Sequence, residues 1–113
     1  MTPLPTISMM TNTIKHFIAQ FRGAEDCFSN GMCYWFAEIL YHRFRCWAPR
    51  IVYADIDNHF GCEIDGIVYD VTGDVTDKYD WEDWKLFQLK DELHTQRIIR
   101  DCILKMEVND YDV

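Results

Sequence analysis

No C-x-x-C pair, no surplus of basic residues and no apolar run of membrane-spanning length occurs in the 113 residues of this chain. Each absence removes a class of function. Cys27 and Cys33 are six apart, and His59 and Cys62 three apart, which is not the paired spacing of a zinc knuckle, so a zinc site is the weakest reading. The stretch from Asp74 to Asp80 lacks the glycine and terminal glutamate of a calcium loop. No cofactor or metal is therefore expected. Five cysteines, an odd number, together with the lack of a secretory segment, point to free thiols in a reducing compartment and hence to a cytoplasmic protein. Nineteen acidic residues against eleven basic ones give a formal net charge of −8. Such a chain has no basic surface to neutralise phosphates, so direct nucleic-acid binding is not expected, and neither is a membrane role.

What is present is enough apolar and aromatic residue, 49% and 15%, for one domain with a single modest core. Residues 1–10, with two prolines, read as an N-terminal arm, 11–106 as a single α+β domain, and 107–113 as an acidic tail. Ile14, Phe17, Ile18 and Phe21 fall at helical spacing and predict a first helix over Thr11 to Phe21. A central helix is expected from Gly31 to about Phe44, with Cys33, Phe36, Ala37, Leu40 and Phe44 on one face. Pro49 closes it, and β-branched and aromatic residues then mark strands over Arg50 to Ile56, Asn58 to Ile64 and Ile67 to Thr72.

A last helix is expected over Leu89 to Met106, its stripe of Leu89, Leu93, Ile99, Cys102, Ile103 and Met106 covering the second face of the sheet. Asp80 to Trp84 reads as a capped short helix or turn, with Trp81 and Trp84 on a shared face. The fold class is thus α+β: a three-stranded antiparallel sheet packed against a central helix from the N-terminal half, with flanking helices.

Two stretches carry candidate chemistry. In Ser29-Asn30-Gly31-Met32-Cys33-Tyr34-Trp35-Phe36-Ala37, Asn30 is a good helix cap and Cys33 falls third in the helix, among backbone N–H groups with no intrahelical partner. A thiol there meets the positive end of the helix dipole, the setting of nucleophilic cysteines, although packed structural thiols fit the same periodicity. Downstream, Asp65-Gly66 is a two-residue type I′ hairpin signal. It pairs Ile64 with Ile67, Glu63 with Val68, Cys62 with Tyr69, Gly61 with Asp70 and His59 with Thr72, which sets His59 and Asp70 on one face as diagonal neighbours. Cysteine, histidine and acid in that order supply the parts of a thiol triad.

The run Asn30 to Ala37 resembles the small-residue, Cys, aromatic, aromatic, Ala signature of papain-like peptidases. The hairpin ending in Asp65-Gly66-Ile67-Val68-Tyr69-Asp70-Val71-Thr72-Gly73 is similar to the His and Asp strands of transglutaminase-like proteins. The resemblance spans about residues 30–73 and implies Cys33 as nucleophile, His59 as general base and acid, and Asp70 as the residue orienting it. Where the papain-like pattern has a glutamine, six residues before the nucleophile, this chain has Cys27, and Asn30, Ser29 and Gln20 are the candidates for a second oxyanion donor. Asn30, Trp35 and Trp81 are the expected substrate contacts.

Two functions follow. One is a small thiol-dependent hydrolase or acyltransferase of the peptidase or amidase type, acting on a peptide or amide substrate, basic ones included. The alternative is a non-catalytic, acidic interaction protein, a phage-type inhibitor or decoy of a basic or nucleic-acid-binding partner. Ten acidic side chains and a single lysine, Lys78, between Asp55 and Asp83 would steer such a partner, or simply solvate the surface.

Overall fold

The structure is a computed structural model and describes residues 6–25, 28 and 32–104. Thr6 accepts the Met9 N–H at 3.1 Å and starts helix α1, Ile7–Ala19, which buries Ile14 and Ile18. The helix thus begins inside the stretch expected to be an arm. The threonine cap, rather than apolar spacing, sets its start.

Helix α2, Cys33–Arg43, buries Phe36, Ala37 and Leu40. Met32 precedes it without a side-chain cap, which makes Cys33 the first helical residue, not the third. The expected cap, Asn30, lies outside the described residues. A turn of tighter helix, Arg45–Trp47, ends at Ala48, whose φ of 50° swings the chain into the sheet ahead of Pro49.

The sheet has five antiparallel strands: β1 Arg50–Ala54, β2 His59–Ile64, β3 Ile67–Asp70, β4 Gly73–Asp74 and β5 Glu82–Asp83, in the order β4-β3-β2-β1-β5. The class is α+β as expected, but the three-strand count is corrected to five. The two added edge strands are two residues each, too short to leave an alternating pattern in the sequence. Asp65 and Gly66 both take positive φ, 53° and 83°, as a type I′ turn requires. The register Cys62–Tyr69, Glu63–Val68 and Ile64–Ile67 follows from that turn. Beyond it the expected Gly61–Asp70 and His59–Thr72 pairs are not in the register, because β3 ends at Asp70 and the chain turns back at once to pair Gly73 of β4 with Asp70 on the other side of β3.

One face of the sheet carries Tyr53, Phe60, Cys62, Ile64 and Tyr69 into the main core against α1 and α2. The other carries Val52 and Val68 into a small second cluster, closed by Val75, Tyr79 and Trp81. The segment from Val75 to Trp81 is therefore the cover of the second face. It is held by Val75 N–H to Val68 O at 2.8 Å and by Trp81 Nε1–H to Val75 O at 3.1 Å. Gly61 makes the close approach possible: a Cβ there would stand 2.7 Å from Val68 Cγ1 and 3.2 Å from the Trp81 ring.

The expected last helix is divided. Asp83 caps α3, Trp84–Lys90, by accepting from Lys85 N–H and Leu86 N–H, and Asp91 breaks the helix and caps α4, Glu92–Ile98. A wider helical turn, Ile99–Leu104, follows. Trp84, Phe87, Ile98 and Ile103 join the main core, so these helices share the face of α2 instead of covering the opposite one. Leu89 and Leu93, expected in the stripe, are 83% and 75% exposed. Trp81 and Trp84, expected to share a face, lie on opposite sides of the sheet because β5 alternates between them.

Candidate functional site

The site forms where the first residue of β2 meets the start of α2. Asn58, at φ 48°, closes the β1–β2 turn. Its Oδ1 accepts from Tyr53 Oη–H at 2.7 Å and its Nδ2 donates to Cys102 Sγ at 3.2 Å, which fixes the entry of His59 into the sheet. At the end of β3, Asp70 Oδ1 accepts from Thr72 N–H at 2.7 Å and from Thr72 Oγ1–H at 2.6 Å. Its other oxygen, Oδ2, stands 2.9 Å from His59 Nε2. The Cys33 side chain, half-buried at the start of α2, is near enough to act on the charge of the imidazole.

His59 and Asp70 are buried, at 8% and 5% exposure. The Tyr79 and Trp81 rings wall the imidazole, with centroids 4.9 and 5.9 Å away. Burial alone would push the His59 pKa down, but the hydrogen bond to Asp70 and the influence of Cys33 and of the Asp70 charge outweigh it and raise it from 6.5 to about 9. Burial likewise favours the neutral form of Asp70, yet the His59 and Thr72 hydrogen bonds hold its carboxyl below 3.8. The result is a buried histidine–carboxylate pair in which the surroundings favour a proton on His59 and the charged form of Asp70.

The structure brings His59 and Asp70 into contact on the sheet face opposite to that of the α2 core, with Cys33 at the first position of α2. Trp81 lies against His59, and Trp35 does not. It lines a separate apolar groove with Phe28, Met32, Glu38, Ile39 and His42. Asn30, Ser29 and Cys27 lie outside the described residues, and Gln20 is the exposed C-cap of α1.

Thr72 and Tyr79 went unnoticed in the sequence. For Thr72 a signal existed: Asp70-Val71-Thr72 and Asp74-Val75-Thr76 are a direct repeat, and in both the aspartate Oδ1 accepts from the threonine N–H and Oγ1–H two residues on. Among the described residues no group of three or more His, Cys, Asp or Glu side chains is arranged to hold a metal ion.

A second polar cavity of about 380 Å³ lies between α2, β1 and α3, lined by Tyr34, Glu38, Arg50, Asp83, Trp84 and Lys85 among others. Tyr34 Oη–H donates to Glu38 at 2.8 Å there, and burial with the nearby carboxylate pushes the phenol pKa upward.

Residues 10–113 match a protein family described as Phage YunG-like protein. The chain belongs to that family. Curated proteins and solved structures give no match to it. Membership of the phage YunG-like family corrects the resemblance to papain-like and transglutaminase-like proteins, which took in only residues 30–73. The family match also takes in most of α1 and all of α3 and α4.

Packing accounts for the motif that suggested the resemblance: Phe36 and Ala37 are buried in the core, and Tyr34 lies edge-on to Phe60 at 5.1 Å. The hydrolase or acyltransferase reading, and the thiol-protease description with it, falls with the resemblance that implied it. Among the described residues no helix is long and apolar enough to cross a membrane.

Proposed function

We propose that this phage YunG-like protein is a non-catalytic interaction protein that meets a basic partner, such as a host nucleic-acid-binding protein, through its acidic surface. Family membership supports the phage-type reading. The observation that carries the choice of partner is the uneven neutralisation of its carboxylates.

At the β5 edge, Arg50 bridges Glu63 at 2.7 Å and Asp83 at 3.3 Å, and Lys90 bridges Glu82 at 2.8 Å. On the β2–β3 turn, on β4 and on the segment that crosses the second face, Asp65, Asp74, Asp77 and Asp80 are exposed and, among the described residues, have no ion pair within 4.0 Å, with Lys15 acting on Asp74 only at longer range. Lys78, the one cation in that run, turns toward the Tyr79 ring, 5.5 Å from its centroid. The acids are also held in place. Asp74 is fixed by Thr76, whose hydrogen bonds keep its carboxyl below 3.8, and Val75, Tyr79 and Trp81 pin the segment to the sheet. Charge presented on an ordered segment loses little conformational entropy on binding and steers a cationic partner over a distance set by salt.

The test is affinity capture from host lysate, with the unaltered chain and the triple variant Asp74→Asn, Asp77→Asn, Asp80→Asn compared side by side. Asp74→Asn retains an acceptor for Thr76. The expected result is a basic protein retained at low salt, eluted as salt rises, and absent from the variant. Equal capture by both proteins, or capture indifferent to salt, overturns the reading.

A further inference from the structure

We propose that the cavity between α2, β1 and α3 binds a free α-amino acid with an aromatic side chain, its ammonium group at Glu38 and its carboxylate at Lys85. This goes beyond binding through the acidic surface and does not depend on it, since Asp74, Asp77 and Asp80 do not line the cavity. Its volume of about 380 Å³ falls within the roughly 300–1,000 Å³ of small-molecule sites. Two of its walls are set in place by packing. Tyr34 and Trp84 stand nearly at right angles to the Phe60 ring, with centroids 5.1 and 4.9 Å away, and Trp84 also stacks on Phe87. With Tyr41, Pro49 and Ile51 they form an apolar lining suited to a flat ring.

The charges decide the rest of the ligand. Arg50 and Asp83 answer one another at 3.3 Å, Glu63 accepts two further guanidinium N–H groups, and the other Asp83 oxygen accepts the Lys85 and Leu86 N–H groups. Two lining charges keep capacity for a ligand, and they sit on different walls. Glu38, on α2, is a half-buried carboxylate that accepts from Tyr34 Oη–H at 2.8 Å and meets the exposed His42 ring at 3.1 Å, so each oxygen keeps a lone pair. Burial and Glu38 keep the Tyr34 phenol protonated, so it serves the carboxylate as a donor and adds no charge. Lys85, on α3, is exposed and, among the described residues, has no ion pair within 4.0 Å. A purely anionic ligand would set its charge against Glu38, and a purely cationic one against Lys85. A zwitterion answers both, and the aromatic lining selects its side chain.

The experiment is calorimetric titration of the full chain with L-phenylalanine, N-acetyl-L-phenylalanine, L-phenylalanine amide and glycine. L-phenylalanine is expected to bind with a Kd of about 0.1 mM, and each of the other three at least about tenfold more weakly. Glu38→Gln, which keeps an acceptor for Tyr34, should weaken L-phenylalanine about tenfold and leave N-acetyl-L-phenylalanine, which has no ammonium to lose, unchanged. Lys85→Gln should weaken L-phenylalanine by a similar factor and leave the amide, which has no carboxylate, unchanged. A merely structural role for either residue would weaken all the ligands alike. Should Glu38→Gln not fold, as judged by circular dichroism, the ligand series on the unaltered chain and on Lys85→Gln decides. No binding of L-phenylalanine up to about 10 mM, glycine or a blocked derivative binding as tightly, or a variant weakening all the ligands alike, overturns the proposal.

Discussion

His59 Nε2 and Asp70 Oδ2 stand 2.9 Å apart, eleven residues apart in sequence, with both side chains out of solvent. The pair makes stability depend on pH at both ends. His59 is raised from 6.5 to about 9, so its contribution is complete below pH 6.5 and lost as pH rises through about 9. Asp70 is lowered from 3.8, so its contribution is complete above pH 3.8 and lost as pH falls through its lowered value. Urea unfolding should therefore show greatest support from this pair between pH 3.8 and 6.5. Asp70→Asn should cost about 1–3 kcal/mol in that window and flatten the alkaline loss. An unchanged alkaline slope in the variant would assign the loss to other groups.

Gly61→Ala tests the cover of the second face. The added methyl would sit 2.7 Å from Val68 Cγ1 and 3.2 Å from Trp81, between two neighbours that are themselves packed. A loss of about 1–3 kcal/mol is expected, with red-shifted tryptophan emission as Trp81 lifts away from the sheet. Unchanged emission would mean that the sheet yields and Trp81 does not.

Thr76→Val removes a hydroxyl that donates to Asp74 Oδ1 at 2.6 Å and accepts the Val68 N–H at 2.9 Å. The shape is kept and two bonds are lost, so about 1–3 kcal/mol should go. Amide exchange should rise at Val68 and Val75 ahead of the main-core strands.

Asn58→Gly keeps the left-handed turn but deletes the side chain that ties Tyr53 to Cys102. Glycine is at ease at that φ, so the expected loss of about 1–2 kcal/mol reports the hydrogen bonds and not backbone strain. Tyr53→Phe in the same background should add little, as the two substitutions remove one shared interaction.

The hairpin was the most legible part of the chain. Asp65-Gly66 admits one turn geometry, and that geometry fixes the pairing from Ile64 to Cys62. The His59–Asp70 neighbourhood followed from it, although the pairing beyond Asp70 did not, because Thr72 draws the chain into a local turn. The last helix was read as continuous, since Leu89 and Leu93 fit a helical stripe. Asp91 between them offers its side chain to the His94 N–H and ends one helix by starting another. Edge strands of two residues carry no periodicity, and a ring such as Tyr79 packed on a distant imidazole leaves no trace in local spacing. The family was illegible for a related reason: a short order of cysteine, histidine and acid is shared by helix-on-sheet contacts of many origins, whereas the match that decides runs over residues 10–113.

The two links on either side of β3 differ in how they tolerate insertion. Asp65-Gly66 sets the phase of β2 against β3, and one extra residue there would send Phe60 and Cys62 outward and bring Glu63 in. The segment from Val75 to Trp81 is anchored to the sheet by Val75, Thr76, Tyr79 and Trp81, and residues added between Thr76 and Tyr79 would bulge into water. Length is quantised in the first link and elastic in the second, so among relatives of this chain new loops should accumulate on the acidic segment that crosses the second face and leave the hairpin untouched.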